Sequence, residues 1–368
     1  MELLNDHCKI KAEIITPLSI GAGAEKDWVK GVDYIIDGKT LYHLCLEKIA
    51  SSGIDLNTLA SLFERNDTEG IARLLGNNLQ MVSDFTFAKP SVRSSNPIKT
   101  MLRNQLTDKP LLAGSSVKGA IRSVLFKYLG NNRNVDVFGS MRDGTDFMRF
   151  IKVGDFEFEK TELVNTKIFN LRRDKNGEWH GGWKHEFART DEHFNSFGFN
   201  TIYECLMPGM TSYGSISVSE KQFKLLKDKG IAQPAFDAKN KLIKDPEAED
   251  CSFIENLFYH INLHTCDYLA KELKFFEQYP VECSEIIEDS IVGLKKMCKQ
   301  CLDEDTLSCI IKMSVGTGFH SITGDWQYDD YINVGEYESG RHKYKSRKIA
   351  EYGNGLSLMG FVKLTIDE

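Results

Sequence analysis

Lys118 and Arg122 lie four residues apart, just beyond the turn made by Gly114, Ser115 and Ser116 in the stretch Pro110–Leu129. Either serine can cap a helix by accepting from a first-turn N–H. Val117, Ile121, Val124, Leu125 and Tyr128 then recur at helical spacing and predict one buried face. A glycine bend, N–H groups at a helix start and two cations can hold a phosphate. The same spacing also fits an ordinary strand–turn–helix with solvated Lys and Arg.

Other residue types offer metal or acid–base chemistry. Cys298 and Cys301 have ligand spacing, Cys309 follows, and His260, His264 and Cys266 sit one to two turns apart on an expected helix. Zinc prefers two paired knuckles, and here one CxxC lies inside an amphipathic helix. No metal is therefore assigned. His180, His185 and His193 cluster with Asp191 and Glu192 around Trp179 and Trp183, which is a set that could move protons. Asp143 and Asp146 fit either a metal or base pair or a turn cap. Neither GxSxG, HExxH nor a Walker lysine occurs, so no cofactor or ATP use is expected.

The chain has 368 residues, 41% hydrophobic and 27% charged, which fits two domains of a globular protein. It has no 18-residue apolar run and no basic, apolar leader, so a cytoplasmic location without membrane contact is expected. Nine scattered cysteines fit reduced thiols. The net charge of −7 argues against a globally basic nucleic-acid binder. Local charge differs. Residues 89–122 carry seven cations (Lys89, Arg93, Lys99, Arg103, Lys109, Lys118, Arg122) against Asp108, and residues 341–348 carry five cations and no acid. Folding that joins these stretches makes a polyanion groove, whereas folding that separates them leaves two solvated loops.

The elements that position these residues are mixed. A strand is expected to about Ile15, a hairpin at Asp37-Gly38, and two short helices over 54–75 broken at Asn66-Asp67. Residues 88–109 lack periodicity and read as a long basic protrusion. Strands follow at 146–158 and 163–171, then a pair around Pro208-Gly209 and a short helix near 219–229. A linker over 237–251 precedes a helical region over about 252–312. Short strands and the loops Gly316-Thr-Gly318 and Gly353-Asn-Gly355 end the chain. The fold class is α+β with ferredoxin-like βαββαβ units.

Several segments together resemble one family. Gly114-Ser-Ser-Val-Lys-Gly-Ala-Ile-Arg122 resembles the GSSlKGalR signature of the RAMP superfamily of CRISPR-associated proteins. Ile15-Thr-Pro-Leu-Ser-Ile-Gly-Ala-Gly23, Phe150-Ile-Lys-Val-Gly-Asp155 and Tyr203-Glu-Cys-Leu-Met-Pro-Gly209 resemble its SPlhIGsG, l.vsD and E.i.pG segments. With Gly316-Thr-Gly-Phe319, Lys343-Tyr-Lys-Ser-Arg-Lys348 and Gly360-Phe-Val-Lys-Leu364, the order is similar to the subunit that caps one end of type III-A Csm effector complexes.

The resemblance implies two ferredoxin-like (RRM-like) domains with helical insertions, divided as 1–236 and 237–368. It implies a non-catalytic subunit that binds the 3′ part of CRISPR RNA and supports its maturation in antiviral defence. Its partners would be CRISPR RNA, the adjacent RAMP backbone subunit, other Csm subunits, host exoribonucleases and, indirectly, target RNA. Gly114, Ser115, Ser116, Lys118 and Arg122 would clamp phosphates. Arg93, Lys99 and Arg103 would reach along the RNA. Lys343, Lys345, Arg347 and Lys348 would form a second positive wall, and Gly316 and Gly318 would also bind the RNA. Two alternatives remain: a RAMP-type endoribonuclease using His185 or Asp143, and the subunit that holds the 5′ handle.

Overall fold

The computed structural model describes residues 5–91, 97–129, 142, 146–185, 190–219, 253–305, 307–313 and 346–367. In order, the chain forms β1 (Asn5–Ile14), β2 (Tyr34–Asp37), β3 (Thr40–Leu44), α1 (Leu46–Ser51), α2 (Leu56–Glu64), α3 (Thr68–Leu75), β4 (Ser83–Ala88), β5 (Leu111–Leu112) and α4 (Gly114–Leu129). Then come β6 (Ile151–Val153), β7 (Phe156–Glu157), β8 (Glu162–Asn170), β9 (Arg172–Arg173), β10 (Trp179–His180), β11 (Trp183–Lys184), β12 (Thr190–Asp191), β13 (Asn200–Cys205) and β14 (Thr211–Ser219). The remainder is α5 (Phe253–Gln278), α6 (Ser284–Asp303), β15 (Ser308–Lys312), β16 (Ser346–Tyr352), β17 (Gly355–Leu358) and β18 (Phe361–Asp367).

The first sheet has the order β15-β18-β1-β14-β6, with every neighbouring pair antiparallel. Helix α4 lies between β1 and β6 in the chain, and α5 lies between β14 and β18. Without the edge strand β15, this is the βαββαβ order expected of a ferredoxin-like unit. Alternation decides which face is covered. Ile10, Ala12 and Ile14 of β1 are fully buried with Val117, Ile121 and Leu125 of α4 and Phe258 of α5. Each such aliphatic side chain contributes about 1.5–3 kcal/mol on burial.

The second sheet, β12-β11-β8-β16-β17 with β13 also on β8, follows a different order. Its core joins Phe169 and Trp183 to Phe275 and Phe276 of α5 and to Ile287 and Ile291 of α6. Both sheets take strands from before and after residue 236, so the expected division there does not coincide with a break between sheets. Helix α5 serves both cores.

A third, smaller core lies under β2–β3–β4 and α1–α3. The Asp37-Gly38 hairpin and the two helices fall where the sequence places them. Asp55 caps α2 by accepting from Asn57 N–H at 3.0 Å, and Asp67 caps α3 by accepting from Gly70 N–H at 2.8 Å.

Two expectations fail. The helical region stops at α6, and Ser308–Lys312 is a strand paired with β18. Its β-branched pair Ile310-Ile311 suits a buried strand. Asn262 of α5 donates to Ser308 O and accepts from Ile310 N–H, both at 2.9 Å, so the helix seals this sheet edge. The second failure is the protrusion. Of its described parts, 88–91 and 97–109, the second begins as a threaded strand: Ile98 exchanges backbone bonds with Trp28, and Lys99 N–H donates to Ile202 O at 2.9 Å. Ile98 and Met101 are buried. The helix expected near 219–229 and the linker at 237–251 lie outside the described residues.

Candidate nucleic-acid interface

Helix α4 begins at Gly114, so both serines lie inside it rather than capping it. Gly114 N–H donates to Asp155 Oδ1 at 2.7 Å, and Ser116 and Val117 N–H donate to Ala113 O. Asp155 supplies the anion that a helix start favours. The phosphate site expected around Gly114 is therefore filled from within the chain. A Cβ at Gly114 would overlap the Val153 and Gly154 carbonyl oxygens, so glycine here serves the close approach of α4 to β6.

The open side of α4 lies elsewhere. Ser116, Gly119, Ala120 and Ser123 recur at helical spacing and line a cleft of about 620 Å³. Gly21, Gly23, Lys99 and Tyr203 line it too. A Cβ at Gly119 would meet nothing within 4 Å, so its missing side chain leaves space in the cleft and brings no backbone closer. Gly23 has φ 110°, a backbone that favours glycine. The result is a groove between a glycine loop and a helix face of small residues. Hydroxyls line one wall, and an aromatic residue and a lysine lie beside it.

Lys118 and Arg122 point away from that groove. At about 100° per residue they sit on another side of α4 from Ser116 and Ala120. Arg122 Nη1 lies 3.3 Å from both carboxylate oxygens of Asp146. Asp146 also accepts from Met148 N–H at 2.8 Å, so it caps a turn as one of its two sequence readings has it. Lys118 is half-buried, and burial lowers its pKa. Ser115 is exposed, whereas Ser116 faces the cleft.

The cations that do converge come from distant segments. Lys99 pairs with Asp27, whose side chain is nearly buried. Lys348 of β16 donates to the Tyr203 hydroxyl, and its Nζ lies 4.4 Å from that ring's centroid. Burial, with Lys99 nearby, lowers Lys348 to about 8. Burial raises Tyr203 to about 12, so its hydroxyl stays protonated. Thus one residue of each basic stretch meets at Tyr203.

Two expected RNA contacts are corrected. Arg347 is 1% exposed, and its Nε donates to Glu272 Oε2 at 2.6 Å. It cannot form part of a surface wall. Arg103 pairs with Glu204, donates to Asp108 O at 2.9 Å and stacks 4.0 Å over Phe85. Glu204, which is fully buried, also accepts from Met101 N–H and Thr161 Oγ1. This pair ties the 97–103 strand to β13. Glu204 and Asp155 are the acids of the segments that resemble E.i.pG and l.vsD, and the structure gives them organising roles, on Arg103 and on the start of α4. Arg93, Gly316, Gly318, Lys343, Lys345 and Asp143 lie outside the described residues.

The histidines do not converge. His180 meets Asp174 at 3.2 Å, His193 meets Glu282 at 3.4 Å, and His185 meets His193 O at 3.3 Å. Asp174, Glu178 and His180 are the sole group among the described residues whose three possible ligand atoms lie within 4.8 Å of one another. The cysteines around Cys298 and Cys301 do not form such a group. Among the described residues, no helix is long and apolar enough to cross a membrane.

Comparison with known proteins completes the picture. The profile of the RAMP superfamily matches residues 11–348. No curated protein matches by sequence. A chain from the cryo-EM structure of a Csm–crRNA–target RNA ternary complex of a type III-A CRISPR-Cas system superposes with a TM-score of 0.65 at 17% identity. That match covers 97% of this chain and all of the other. The crystal structure of T. onnurineus Csm5 superposes with a TM-score of 0.59 at 14% identity, covering 96% of this chain and 99% of the other. At these identities the likeness is one of fold.

Proposed function

The chain belongs to the RAMP superfamily, and from that premise we propose that it is a non-catalytic, RNA-holding subunit of a type III-A CRISPR effector complex. It caps the 3′ part of the CRISPR RNA and supports that RNA's maturation in the cytoplasm. The observation that carries this reading is the cleft between Gly21-Ala-Gly23 and the Ser116/Gly119/Ser123 face of α4. Glycines admit a sugar–phosphate chain to within hydrogen-bonding distance of the backbone. Hydroxyls and the Lys99/Lys348 pair bind it without reading base sequence. Lys348 donates to the hydroxyl of Tyr203, which lines the cleft. The expected partners are CRISPR RNA, neighbouring Csm subunits and host exoribonucleases, with target RNA met indirectly. The two solved neighbours, a chain of a Csm–crRNA–target RNA complex and Csm5, support the reading of a Csm-complex subunit.

A photo-crosslinker placed at Ser123 in the assembled complex tests it. The expected product joins the chain to the 3′ end of the RNA. Crosslinks to the 5′ handle would instead assign the other capping role. Site-specific cuts in repeat RNA by the purified protein, lost on His185→Ala, would overturn the non-catalytic reading.

A further inference from the structure

The longest helices, α5 and α6, pack against each other in the second core, and two cysteines meet between them. Cys266 Sγ on α5 and Cys298 Sγ on α6 lie 3.1 Å apart. Cys266 is partly exposed, whereas Cys298 is fully buried. Cys298 Sγ also lies 3.3 Å from the Asn262 carbonyl oxygen, one turn before Cys266. An accessible sulfur backed by a second, water-excluded one is the arrangement of a thiol that oxidises and is then resolved.

We infer that Cys266 is a reversible oxidation site whose resolving thiol is Cys298, so that a peroxide joins α5 to α6 through a disulfide. The Cys266 thiolate attacks one peroxide oxygen. The O–O bond breaks, hydroxide leaves, and Cys266 becomes a sulfenic acid. The Cys298 sulfur then attacks the Cys266 sulfur, and the S–O bond breaks. The departing hydroxide takes the Cys298 proton and leaves as water. The peroxide gains the two electrons that the two sulfurs lose. Closing the bond to about 2.05 Å moves the sulfurs together by about 1 Å, within the reach of side-chain rotation.

The surroundings favour Cys266 as the attacking thiol. Its hydrogen-bonded contact with Cys298 lowers its pKa, and Lys295 and Lys299 act in the same direction. The same hydrogen bond and burial raise Cys298, which keeps it protonated until the sulfenic acid forms. Burial raises Cys301 and Cys309 as well, and both are buried. Partly exposed Cys8, Cys45 and Cys283 serve as internal references.

The test treats the full-length protein with hydrogen peroxide, blocks the remaining thiols, and maps peptides without reduction. The expected result is a Cys266–Cys298 linked pair and the loss of two hydrogens per chain, both reversed by dithiothreitol. In Cys298→Ala, dimedone should label Cys266. Finding Cys266 still a free thiol after Cys8, Cys45 or Cys283 has oxidised would overturn the inference, as would its linkage to any other cysteine. If Cys298→Ala does not fold, the wild-type peptide map decides alone.

Discussion

Replacing Arg347 with alanine should damage the fold and spare the RNA site. Its guanidinium is held by Glu272 at 2.6 Å and sits 3.8 Å from the Phe275 ring centroid, with 1% of the residue exposed. Glu272 is itself fully buried. Removing the cation takes from this buried carboxylate the guanidinium that holds it. Breaking such a pair from one side costs about 3–5 kcal/mol. That is a large share of the roughly 5–15 kcal/mol by which a domain is stable. Urea denaturation followed by circular dichroism measures it, and the midpoint should fall with the slope unchanged. The double change Arg347→Met with Glu272→Leu should recover most of the loss, because neither charge is then left alone. An unchanged midpoint in Arg347→Ala, together with weaker RNA binding, would refute the reasoning and restore Arg347 to the surface.

Two glycines of the same helix should behave oppositely. Gly114→Ala should destabilise by about 1–3 kcal/mol through overlap with the β6 carbonyls, read as a lower urea midpoint. Gly119→Gln should leave stability unchanged or slightly raised, since helix propensity improves, while RNA affinity drops because the side chain enters the cleft. Asp155→Ala should cost about 1 kcal/mol by removing the acceptor at the start of α4, again read from denaturation. Lys348 titrates at about 8, so RNA affinity should weaken as pH rises through 8 and the ammonium loses its proton. Its folded pKa lies below the unfolded one, so the unfolded chain binds more protons above pH 8. Stability should therefore rise from about pH 8 toward the unfolded lysine value near 10.4. Lys348→Met should remove both pH effects.

Local features were legible in the sequence. The Asp37-Gly38 turn, the capped helix pair and the periodicity of α4 depend on residues within a few positions of one another. The α+β class and the first sheet's order followed from those elements and from the family signature. Features set by distant partners were not legible. The 97–103 strand is ordered by Trp28 and Ile202, and its polar composition hid the buried Ile98 and Met101. Arg347 reads as one more cation in a basic run, because the acid that buries it lies 75 residues away. The helix start looked vacant because Asp155, which fills it, is 41 residues downstream. Charge density located the two basic stretches, and tertiary packing chose Lys99 and Lys348 from them to meet at Tyr203.

The central claim is that the cleft beside Gly119 holds an RNA backbone through Lys99 and Lys348. The most direct measurement is a salt titration of single-stranded RNA binding by the wild-type protein and by Lys99→Ala with Lys348→Ala. Each neutralised phosphate contributes about 0.7 to the slope of log affinity against log salt. The account expects the double variant to flatten the slope by about 1.4, equally for RNAs of unrelated sequence. Parallel titrations with the same slope would contradict it.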